Sequence, residues 1–112
     1  MVHMYQLPAH AGKYVARLKQ SFYLNAMVTA AAMSDIHQEI ALLSYGKIYF
    51  FKVAQKDTFG LDPFYCKRIA GIGQSEGIVY KNQHTLFLSN EQGKLYRLQL
   101  SNKGGQSFRP SE

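Results

Sequence analysis

At 112 residues, 46% hydrophobic and 18% charged, the chain has the size and apolar content of one domain with a modest core. A single cysteine, Cys66, excludes an intrachain disulfide and a cysteine-built zinc site. Thirteen basic residues stand against seven acidic ones, but they are scattered and the longest run is Lys67-Arg68, which fits a solvated basic surface rather than a nucleic-acid footprint.

Eight Tyr and seven Phe with no Trp favour strands over helices. The opening MVHMYQLPAH lacks the basic start and apolar core of a signal peptide. No apolar run reaches the length of a membrane-spanning helix, so no transmembrane segment is expected.

Taken in order, residues 2–7 (VHMYQL) read as a strand closed by Pro8. Residues 14–22 (YVARLKQSF) alternate, with Val15, Arg17 and Lys19 on one face and Tyr14, Ala16 and Leu18 on the other, as in an outer strand. Residues 26–33 (AMVTAAAM) carry alanines of high helix propensity. The turn signal Ser34-Asp35 and the strands that follow favour an inner, closely packed strand instead. Strands are predicted at 39–45, 47–53 and 64–70, with a loop of turn formers at 56–63. Three more follow at 76–80 (EGIVY), 85–90 (TLFLSN) and 94–100 (KLYRLQL). The tail 102–112, with Gly104-Gly105 and Pro110, reads as a flexible polar segment.

The strands repeat. GKIYFFKV from Gly46 matches GKLYRLQL from Gly93 at a spacing of 47, and VTAAAM from Val28 falls on SEGIVY from Ser75 at the same spacing. LLS at 42–44 matches FLS at 87–89 at a spacing of 45, which implies a two-residue insertion at Asn90-Glu91-Gln92. The first strand, ending at Leu7, falls on the one ending at Val53. Four short strands recurring at this period predict antiparallel four-stranded β-propeller-like blades. With the strands of a blade lettered a to d, the chain reads c-d, a-b-c-d, a-b-c. The fold class is therefore all-β, about two blades, over 1–101, with repeats at 26–70 and 73–100 behind the N-terminal strands of 2–22. Two blades do not close a ring, so the expectation is a homo-oligomer or part of a longer chain.

The stretch QSEGIVYKNQHTLFLSNEQGKLYRLQL resembles the end of a β-propeller domain of exported Bacteroidetes proteins, through Glu76-Gly77-Ile78 and Ser89-Asn90-Glu91. It is also similar to the SdiA-regulated and phytase-like propellers. The resemblance implies an extracellular or cell-envelope binding protein with a protein or carbohydrate ligand. Its alternative is a portion of a phytase-like or esterase-like metal-dependent hydrolase.

Among individual residues, Glu76 and Glu91 stand out. A hairpin that pairs Lys81 with Thr85 sets Glu76 opposite Asn90. Glu76, Glu91 and Asn90 then offer oxygens to a calcium ion, and the two carboxylates suit general acid and base roles. The competing reading makes Glu76 a partner of turn backbone and Glu91 a solvated loop residue; Thr29 stands at the repeat position of Glu76. No catalytic set is predicted. Gly71-Ile72-Gly73 has Glu76 in the third glycine's place and no helix after it, and no Gly-x-Ser-x-Gly is present. His3, His10, His37 and His84 share no metal-ligand spacing, Cys66 reads as a buried thiol, and Tyr49, Phe50 and Tyr96 read as packing residues.

Overall fold

Two-residue alternation of apolar side chains runs through both faces of the middle of the chain, and that pattern requires a sheet covered on two sides. The computed structural model describes residues 1–34, 36, 38–53 and 62–100. Among these the regular elements are nine strands: β1 (Val2–Gln6), β2 (Arg17–Phe22), β3 (Val28–Ser34), β4 (Glu39–Ser44), β5 (Lys47–Lys52), β6 (Tyr65–Arg68), β7 (Ser75–Asn82), β8 (Thr85–Asn90) and β9 (Leu95–Gln99). They form three antiparallel sheets in the orders β1-β2, β3-β4-β5-β6 and β7-β8-β9. The protein is all-β, and the grouping of two, four and three strands is the one the repeat predicts. The tail beyond Leu100 and most of the predicted 56–63 loop lie outside the described residues.

The middle sheet is the filling between the other two. On one face Ile40, Leu42 and Phe51 pack with Phe22, Val2 and Met4 of the first sheet. On the other, Ala41, Leu43, Ile48 and Phe50 pack with Leu86 and Leu88 of the third and with Leu100 just past its last strand. Every residue of β4 is buried, as a central strand covered on both faces requires. Phe50, Phe51, Leu43, Ile48, Leu86 and Leu88 are fully buried, and each contributes about 1.5–3 kcal/mol of transfer free energy.

The repeat is visible in the hydrogen-bond register. Val28 pairs with Ser44 and Ser75 pairs with Asn90, and each pairing is followed by a bulge, at Thr29 and at Glu76. Gly46 and Gly93 close the next turns in the left-handed region, at φ +86° and +82°. The pairing sets Leu42 against Leu88 and Leu43 against Ser89 in the repeat, a spacing of 46, so the 45 expected from LLS and FLS is corrected by one residue. Identity of letters misled there; the faces decide, because Leu42 and Leu88 both point back toward the preceding sheet.

Other corrections are small. The outer strand begins at Arg17 rather than Tyr14, because Tyr14 turns aside to bond His10 through its hydroxyl at 2.7 Å. The strand predicted at 64–70 is shorter, Tyr65–Arg68. The alanine-rich segment is a strand despite its propensity, because its small side chains let β7 lie against β3.

Candidate functional site

The predicted acidic site lies where the turns after β4 and β8 meet the start of β7. The register differs from the expected one: the hairpin turns tightly at Gln83-His84, Asn82 pairs with Thr85, and bulges on β7 put Ser75, not Glu76, opposite Asn90. The Asn82 side chain accepts from the His84 N–H at 2.9 Å, which draws the turn tighter than a four-residue loop. Glu76 therefore occupies the bulge with its side chain exposed.

Tyr45 bonds one carboxylate and senses the charge of both. Its hydroxyl donates to Glu76 Oε2 at 3.4 Å, and partial burial with the nearby negative charge of Glu76 and Glu91 pushes its pKa above the usual phenol value. Glu91 is engaged by Gln74, whose side-chain amide donates to its carboxylate and whose carbonyl accepts the Glu91 N–H at 3.1 Å. Asn90 is committed to the backbone. Its Oδ1 accepts from the N–H groups of Gln92 and Lys94, both at 3.0 Å, and its Nδ2 donates to the Ile72 carbonyl at 2.9 Å. The structure thus brings Glu76 and Glu91 near Tyr45 and uses Asn90 to shape the turn after β8. No cluster of three or more His, Cys, Asp and Glu side chains suited to a metal occurs among the described residues.

The remaining residues singled out in the sequence are dispersed. His3 bonds Ser21 at 2.8 Å, His84 donates from Nδ1 to the Leu100 carbonyl at 3.1 Å, and His37 lies outside the described residues. Cys66 is fully buried, and burial pushes its thiol up to about 11, against a smaller opposing pull from Lys47. Tyr49 and Phe50 pack in the two cores, and Tyr96 packs against the second of them.

A second site is an apolar groove of about 360 Å³ between β1 and the β3–β4 hairpin. Met4 forms one wall; Val28, Ala31, Ala32, Ile40 and Leu42 form the other wall and floor. The groove exists because the first sheet has two strands where the middle sheet has four. Sequence reasoning missed it, since its walls lie far apart along the chain. The available signal was the pair Ala31-Ala32, whose small side chains leave space beside the sheet.

No family model, curated protein or solved structure matches the chain. Among the described residues, no helix is long and apolar enough to cross a membrane.

Proposed function

We propose that the chain is a non-catalytic binding module of β-propeller-like blades, exported to or beyond the cell envelope, that holds a protein or carbohydrate ligand. The observation that carries this reading is the open apolar groove, a concave surface with no titratable pair at its floor. The blade reading is supported by the four-stranded meander, the matching bulges at Thr29 and Glu76, and the stacking of the third sheet on the middle one through β7 and β3. Further blades, from copies of this chain or from a longer chain, complete the ring in this reading, and light scattering after size exclusion measures the subunit number.

The test is a panel of phosphate and carboxylic esters, assayed with and without millimolar calcium. No turnover is expected. Calcium-dependent turnover that disappears in Glu76→Gln overturns the reading in favour of a metal-dependent hydrolase. That second reading has one observation in its favour, the convergence of Glu76 and Glu91 on Tyr45.

A further inference from the structure

We propose that the connection between β1 and β2 docks the protein on an anionic lipid bilayer, with Leu7 and Val15 entering the boundary between headgroups and acyl chains and Lys13, Arg17 and Lys19 holding lipid phosphates. The proposal goes beyond the binding-module reading and makes no use of the apolar groove.

The connection spans residues 7–16, and every residue of 5–19 is exposed. A surface connection is ordinarily polar, yet Leu7 is 57% and Val15 88% exposed. Tyr14 is folded onto its own loop: its hydroxyl meets His10 Nδ1 at 2.7 Å, and its ring lies against Gly12, where a Cβ would meet its atoms at 2.9 and 3.0 Å. The loop therefore has a built shape, and a hollow of about 300 Å³ opens among Gln6, Leu7, Pro8, Tyr14, Val15 and Arg17. Apolar side chains and an arginine around one hollow suit a phosphate attached to hydrocarbon better than a free anion. Charge is one-sided here. Residues 1–34 contain Lys13, Arg17 and Lys19 and no Asp or Glu; the first acidic residue is Asp35. Cations set around exposed apolar side chains supply the two attractions of peripheral membrane binding, electrostatic and hydrophobic.

Other occupants fit less well. The sheets of this protein meet face to face, and none of residues 7–16 belongs to either core, so a further blade stacked on the first sheet, from a longer chain or a copy, leaves the connection open. A copy meeting it loop to loop sets cations against cations. Of the described carboxylates elsewhere on a copy, Glu39 is buried and Glu76 and Glu91 are engaged by Tyr45 and Gln74, which leaves Asp62 to meet three cations. Single-stranded nucleic acid shares the charge of a bilayer but needs open aromatic faces for its bases. Tyr14 is committed to its loop, and the more exposed side chains beside it, Leu7 and Val15, are aliphatic.

In the test the full chain is sedimented with vesicles of phosphatidylcholine alone and of phosphatidylcholine with one quarter phosphatidylglycerol. Binding to the anionic vesicles only, weakened by salt, is expected. Lys13→Gln and Arg17→Gln should each weaken it about fivefold, and Leu7→Ser with Val15→Ser about tenfold or more. All four positions are exposed, so these variants should melt as the wild type does. If one does not, Val15→Trp in an otherwise unaltered chain, which has no other Trp, reports insertion through a blue shift of its emission on anionic vesicles. Lys81→Gln with Lys94→Gln removes two cations elsewhere on the surface and should leave binding unchanged. No binding, equal binding to both vesicles, or a loss in the Lys81 and Lys94 variant equal to that at Lys13 and Arg17 overturns the proposal. So does release by millimolar inorganic phosphate at constant ionic strength, which assigns the hollow to a free anion. Release by a single-stranded oligonucleotide that Val15→Ser binds as the wild type does assigns the cations to nucleic acid and overturns it as well. A mass that rises with concentration in the wild type but not in Val15→Ser assigns the loop to a second copy, with the same consequence.

Discussion

Tyr80 and Glu39 meet across the boundary between the middle and third sheets, the phenol donating to Oε2 at 2.8 Å. Glu39 is fully buried, and Tyr80 joins two sheets through residues 41 positions apart. Removing the hydroxyl withdraws a donor from a buried carboxyl group, so Tyr80→Phe should cost about 1–3 kcal/mol in urea denaturation. The pH dependence follows from the direction of the shift. Burial, then the charge of Glu39 and its hydrogen bond, push the folded Tyr80 pKa upward. The unfolded phenol ionises near pH 10, so this stabilisation is complete below about pH 10 and is lost as the pH rises above it. Tyr80→Phe should flatten the fall in stability above that pH; an unchanged alkaline profile would contradict the assignment.

Asn90 distinguishes a structural turn from a ligand set. Its side chain makes three hydrogen bonds to backbone groups, two within the connection between β8 and β9 and one to Ile72 ahead of β7. Asn90→Ala should destabilise the chain by about 1–3 kcal/mol, since the Ile72 carbonyl and the Gln92 and Lys94 N–H groups all lose the buried Asn90 side chain as partner. The loss should be the same with calcium and with chelator. A wild-type melting temperature that rises with calcium, and an Asn90→Ala one that does not, would return Asn90 to the metal set.

Cys66 reports on the middle sheet. It pairs with Tyr49 across β5 and β6, is fully buried, and has its pKa held at about 11. A thiol reagent at pH 8 should react far more slowly with the native chain than with the chain in urea, because both thiolate and access are lacking. The raised pKa also means that stability carried by Cys66 is present below its unfolded value near 9 and declines as the pH rises through it. Immediate full labelling of the native protein would place the thiol at the surface.

Much of this architecture was legible in local patterns. TLFLSN is β8 to the residue, because its alternation and its flanking turns agree. The grouping of strands followed from GKIYFFKV and GKLYRLQL, whose turn glycines share one backbone conformation. What failed was single-residue register. Bulges at Thr29 and Glu76 each shift a pairing without leaving a compositional mark, and one such shift separates Glu76 from Asn90. The groove was invisible for another reason: Met4 and Ile40 meet only through the stacking of whole sheets.

The end face of the third sheet gives the last prediction. Val79 pairs with Phe87 and Phe87 with Arg97, so one row across that face carries two apolar residues and then a cation. Val79 is 54% exposed and Leu95 lies nearby, so Arg97 is what keeps this row from becoming a continuous apolar strip. Arg97→Phe restores the residue type found at Phe50 and recreates a surface suited to covering by a further sheet. The variant should unfold within about 0.5 kcal/mol of the wild type at low concentration, since the position is exposed. Its mass by light scattering should rise with concentration beyond that of the wild type, and the reverse change at the groove, Ala31→Arg, should not produce the effect. If Arg97→Phe and wild type show the same mass at every concentration, the charge of Arg97 does not limit association through the outer face of the third sheet.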